Sequence, residues 1–148
     1  MTLSPRGLVT LLFVAVVGLG CASAPIQEMS DARRALTMAR EVGGNANVAA
    51  GYERAVRRVE NARRALASGD FNTARDHALE GKTLAVSVRA LSMKLTGLEQ
   101  ELTRRDARGE DVKSAVAALL EASAAALKGE IERAERFAEK ARDLLDAR

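Results

Sequence analysis

Residues 65–82 read ALASGDFNTARDHALEGK, and residues 125–142 read AALKGEIERAERFAEKAR. The two segments align without gaps at an offset of 60 residues. Ala65 pairs with Ala125, Gly69 with Gly129, Asp70 with Glu130, Phe71 with Ile131, Ala74 with Ala134 and Ala78 with Ala138. Each segment has the order of a helical hairpin: a helix end, a glycine that supplies a left-handed residue, an acid at the next helix start, then an apolar side chain. The alanines repeat at spacing four, so they share one helix face and let two backbones approach closely.

Glycines and polar clusters divide the chain into five helices. The first runs from about Ile26 to Val42 and ends at Gly43-Gly44, with Asn47 offered as the cap of the next. The second runs from about Val48 to Ala67. Its Val48, Tyr52, Ala55, Val59, Ala62 and Leu66 alternate at spacings of four and three. The third is long, about Phe71 to Ala107, with Leu84, Val88, Leu91, Leu95, Leu98 and Leu102 in the same alternation. Gly81 and Gly97 each weaken it by about 1 kcal/mol relative to Ala, so a bend or break is expected near either. The fourth runs from about Asp111 to Leu127, with Val112, Val116, Leu119 and Leu120 inward. The fifth runs from about Glu130 to Asp146, with Ile131, Ala134, Phe137, Ala138, Ala141 and Leu145 on one side. Pro25 is the last proline, and no alternating strand pattern follows it. The expected class is all-α: antiparallel helical hairpins forming a bundle of about five helices, the third of them long.

Composition narrows the function classes. The chain has 148 residues, one Cys, one His and no Trp, so neither a disulfide framework nor a His-rich metal centre can be built from it. Its 23 Lys and Arg face 20 Asp and Glu, close to balance, whereas nucleic-acid binding calls for a concentrated basic surface. No nucleic-acid partner and no cofactor are expected.

The N-terminus is different in kind. Arg6 is followed by LVTLLFVAVVGL, Leu8–Leu19, an apolar run of twelve residues. A bilayer-spanning helix needs about 20. A positive start, a short apolar run and small residues after it have the form of a secretory signal. Residues 17–22 read Val-Gly-Leu-Gly-Cys-Ala. This stretch resembles the lipobox of a bacterial lipoprotein, in which signal peptidase cuts just before the cysteine. The resemblance implies a signal peptide over residues 1–20, cleaved between Gly20 and Cys21, and lipid attached to Cys21. With the helical pattern that starts at Ile26, this leaves a short tether over 21–25 and a single helical domain over 26–148. Two or more acyl chains hold a protein stably at a membrane, where one does not. By the same resemblance, Ala22 in place of Asp directs the protein to the outer membrane, facing the periplasm. Ala22-Ser23-Ala24 also satisfies the small-residue rule for ordinary signal cleavage.

Two further resemblances bear on the helical part. Gly-x-Phe/Ile-x-x-Ala-x-x-x-Ala is similar to the inter-helix turn of a tetratricopeptide repeat. It covers the turn and second helix, while Ala62 and Ala65 stand at the first helix's Gly and Tyr positions. Cys21-Ala-Ser-Ala-Pro25, the start Asp31-Ala-Arg-Arg-Ala-Leu and the turn Ala65-Leu-Ala-Ser-Gly-Asp-Phe-Asn-Thr-Ala-Arg resemble a family of small helical bacterial lipoproteins. That family has no assigned activity, so nothing catalytic is implied.

The candidate sites follow from these readings. His77 has Asp76 and Glu80 nearby, too few ligands for a metal. Glu130, Glu132, Glu135 and Glu139 interleave with Arg133, Arg136 and Lys140 as ordinary helix-surface pairs. Between Glu28 and Arg64 there are eight arginines against five acids, while residues 110–148 hold seven bases against nine acids. Arg33, Arg34, Arg54, Arg57, Arg58 and Arg64 therefore form a candidate contact face for lipid phosphates or an acidic partner, or else a solvated surface. Residues 115–126 carry more small apolar side chains than one core stripe uses, so they either pack tightly or offer a face to another helix. The expectation is a non-catalytic, lipid-anchored envelope lipoprotein acting as a structural or adaptor module. Its membrane contact is the lipidated Cys21 and its partner another envelope protein. The heptad stripes also permit a homo-oligomer through a coiled coil. A carrier of a lipid or hydrophobic ligand, and a peptidoglycan-associated spacer, are the alternatives.

Overall fold

The structure, a computed structural model, describes residues 23–147; the apolar run Leu8–Leu19, Cys21 and Arg148 lie outside the described residues. Every regular element described is helical: α1 (Ile26–Glu41), α2 (Gly44–Asn47), α3 (Ala49–Ala67), α4 (Phe71–Ala107), α5 (Lys113–Leu127) and α6 (Ile131–Asp146). The all-α class and all five expected helices are present, together with the single turn α2, which the sequence reading does not contain.

The aligned segments make the same turn. The Asp70 N–H donates to the Ala65 carbonyl at 3.0 Å and the Gly69 N–H to Leu66 at 3.1 Å; Glu130 and Gly129 repeat this to Ala125 and Ala126 at 3.0 and 2.9 Å. Gly69 and Gly129 have φ of 80° and 76°. This is a Schellman motif, which satisfies the last carbonyls of one helix while reversing the chain. The acids that follow behave differently. Asp70 accepts from the Thr73 N–H at 3.1 Å and caps α4, whereas Glu130 forms no side-chain cap and pairs with Arg133 at 3.0 Å.

α4 is the spine. At 37 residues it extends about 55 Å, and it runs unbroken through Gly81 and Gly97. The break expected near these glycines does not occur. Gly81 instead marks the crossing with α3. A Cβ there would stand 2.8 Å from Val59 Cγ2 and 3.3 Å from the Val59 nitrogen.

The shorter helices clothe the spine in two pairs. α1 runs parallel to its first half: Arg75 meets Glu28 and Lys82 meets Asp31, both at 2.8 Å, and Ser92 Oγ donates to the Val42 carbonyl at 2.7 Å. α3 runs opposite, with Arg58 on Glu80 at 2.9 Å. α6 runs parallel to the second half, with Lys94 near Glu139 at 3.4 Å and Arg105 Nη1 donating to the Leu145 carbonyl at 2.8 Å. α5 returns alongside and ends at Gly129, beside Ala50 and Gly51 at the start of α3.

Alanine makes the close packing work. Ala32, Ala39, Ala55, Ala62, Ala78, Ala85, Ala122, Ala126, Ala134, Ala138 and Ala141 are wholly buried. The row Val88, Leu91, Leu95, Leu98 and Leu102 is buried with them, so this stripe is used inside the chain. A second cluster, Met29, Ala32, Val59, Ala62 and Ala78, joins α1, α3 and the start of α4. Among the described residues, both clusters draw on positions between 29 and 145.

Two local expectations are corrected. Asn47 does not cap α3: Val48 takes that position without a side-chain bond. The Asn47 amide instead donates to Ser92 Oγ at 3.2 Å and Thr96 Oγ1 at 3.5 Å, because the α2 turn points it back at the spine. Val116 and Leu120 do not point inward; they are 38% and 66% exposed, because α5 sits at the bundle's edge.

Candidate interaction surfaces

Cys21 lies outside the described residues, but the chain just behind it is well tied. Arg75 Nη2 donates to the Ser23 carbonyl at 3.0 Å, and Pro25 is among the largest fully buried side chains. The bundle therefore takes hold two residues after Cys21, at the end where α1 and α4 begin.

The six arginines of the sequence-derived basic face fall into two groups. Arg54, Arg57, Arg58 and Arg64 project from α3 into one open cleft of about 750 Å³, with Val56, Glu60, Asn61 and Leu84. Their charges are largely engaged by neighbours. Arg54 donates to the Gly129 carbonyl, Arg57 approaches Glu53 at 3.5 Å, Arg58 pairs with Glu80, and Arg64 donates to Asn61 Oδ1 at 2.6 Å. Arg33 and Arg34 lie on α1. Arg34 lines a separate groove of about 210 Å³ between α1 and α4, with Asp31, Ala35, Met38, Lys82, Val86 and Arg89. Arg34 and the four α3 arginines thus line different clefts.

The ion pairs hold carboxyls below their ordinary range. The Arg75 hydrogen bond does this for Glu28, the Lys82 hydrogen bond for Asp31 and the Arg105 hydrogen bond for Glu101. Hydrogen bonding to Thr73 does the same for Asp70. Glu28 and Asp31 tie α1 to α4, Asp70 caps the start of α4, and the Glu101–Arg105 pair lies within α4. His77 is half-buried, with Nδ1 3.8 Å from the Glu80 carboxylate that Arg58 also engages. Among the described residues no group of three or more His, Cys, Asp and Glu side chains converges as metal ligands would. No described helix is long and apolar enough to cross a membrane.

Two apolar surfaces remain in solvent. On α5 the inner side is Ala115, Ala118, Leu119, Ala122, Ala125 and Ala126. The outer side still presents Val116 at 38%, Leu120 at 66% and Leu127 at 53% exposed. The second surface escaped the sequence reading. Leu79, Val86 and Met93 stand at intervals of seven on α4 and are 46%, 54% and 52% exposed. The signal was present as a second heptad row, out of phase with the stronger row that builds the core.

No protein-family model, no curated protein and no solved structure matches this chain.

Proposed function

We propose that this protein is a lipid-anchored bacterial envelope lipoprotein, held by an acylated Cys21 at the outer membrane and facing the periplasm. Its helical bundle is a non-catalytic adaptor that binds an envelope protein through the outer face of α5. The anchor rests on the run Leu8–Leu19 and the lipobox-like Val17–Ala22. The observation that carries the adaptor reading is the exposure of Val116, Leu120 and Leu127 on a helix that is apolar on its inner side as well. A helix apolar all round is ordinarily covered on every side. Contiguous exposed apolar surface marks a place where another macromolecule sits.

A photo-crosslinking residue in place of Leu120, in the full protein expressed in its membrane, tests this. The expected result is one discrete crosslinked species that is absent when the same residue replaces Glu132 on α6, and that is lost in an Ala124→Glu background. Equal crosslinking from positions 120 and 132, or none from 120, contradicts the reading.

A further inference from the structure

The outward ridge of α4 and the groove beside it make a second surface, of different chemistry from α5. From Leu79 to Gly97 the ridge reads Leu79, Thr83, Val86, Ala90, Met93, Gly97 at alternating spacings of four and three, with no charged side chain among them. It spans about 27 Å. This row lies on the side of α4 opposite the buried Gly81, Ala85, Val88, Leu95 and Leu102, so it faces outward.

Cations flank it. Lys82 and Arg89 lie on one side with Arg34 across the groove, and Lys94 lies on the other, 3.4 Å from Glu139. The one acid lining the groove, Asp31, is taken by Lys82 at 2.8 Å. Arg89 Nε is buried and finds no hydrogen-bond acceptor among the described residues. Of the α4 acids near the ridge, Glu80 is engaged by Arg58 and Glu101 by Arg105, while Asp76 and Glu99 are exposed just beyond its two ends.

We infer that this α1/α4 face docks onto an anionic bilayer, with Leu79, Val86 and Met93 entering the headgroup boundary and Arg34, Lys82, Arg89 and Lys94 meeting lipid phosphates. Long basic side chains suit this role, since their stems lie along apolar surface while their heads reach outward to the phosphate level. A row of apolar side chains bordered by cations matches the boundary of an anionic bilayer, apolar within and phosphate-lined at its surface. Anionic headgroups supply the charge complement. The first tied residue, Ser23, is held by Arg75 on the same helix, so a lipid at Cys21 would start from the end of this face. The inference deepens the anchored reading, yet its test uses protein without lipid, so the two fail separately.

Residues 22–148, which hold every described helix and both core clusters, are floated with vesicles of phosphatidylcholine alone and of phosphatidylcholine mixed with phosphatidylglycerol. Circular dichroism confirms that each variant keeps its helicity. The expected result is selective flotation with the mixed vesicles. Binding falls about tenfold or more in Arg34→Gln/Arg89→Gln, at roughly fivefold per basic side chain near an anionic surface. It is lost in Val86→Asp and kept in Leu120→Asp. Equal partition onto both vesicles, flotation with neither, or Leu120→Asp losing binding as Val86→Asp does overturns the inference.

Discussion

Gly81 and Gly97 stand on the same helix and share the same intrinsic weakness, yet their surroundings are opposite. A Cβ at Gly81 would crowd the stiff Val59 side chain and its backbone nitrogen, while at Gly97 nothing lies within 4 Å. Gly97→Ala should therefore stabilise the bundle by about 1 kcal/mol through helix propensity. Gly81→Ala should destabilise it by about 1–2 kcal/mol, since overpacking at the crossing outweighs the same propensity gain. Urea unfolding of the two variants checks the signs; a stabilised Gly81→Ala would mean that α3 and α4 are not in close contact there. The sequence shows both glycines as weak points in a helix. It does not show which one admits a neighbour, because that depends on Val59, some twenty residues away in the chain and brought opposite only by the turn at Gly69.

Among elements, α1 is the one fastened most by charge. Glu28 to Arg75 and Asp31 to Lys82 join it to α4, and both carboxyls are held below their ordinary range by those hydrogen bonds. A carboxyl with a lowered folded-state pKa contributes stability that is fully present above its unfolded value and lost as pH falls through the folded value. The α1 ties should therefore weaken as pH drops below about 4. Thermal melts of wild type and Glu28→Gln/Asp31→Asn should differ at neutral pH and converge in acid; a difference that persists unchanged at low pH would detach the effect from these ion pairs. The helices themselves were legible from glycine punctuation and apolar periodicity. α2 was not, because a four-residue turn carries no period. Nor was the outward face of α5: Val116 and Leu120 are as apolar as Leu119, and only the edge position of the helix separates them.

For the whole molecule, the arrangement assigns different chemistry to different sides. The α3 cleft gathers Arg54, Arg57, Arg58 and Arg64, with most of their charge engaged by neighbours. The α1/α4 side keeps Arg34 and Arg89 beside an apolar ridge. The α5 side is apolar and nearly uncharged, with Glu121 the one ionisable residue between Lys113 and Lys128. The sequence places the arginines in one window because it counts along the chain. The fold puts Arg34 in the groove between α1 and α4 and the four α3 arginines in another cleft. Adaptor and membrane readings meet at Cys21, two residues before the first described residue. Intact mass analysis of the N-terminal peptide, taken from protein extracted from membranes, tests that junction. The expected result is a chain beginning at Cys21 and carrying a diacylglyceryl thioether with an acylated amine. An unmodified Cys21, or a chain beginning at Met1 or Pro25, would contradict it.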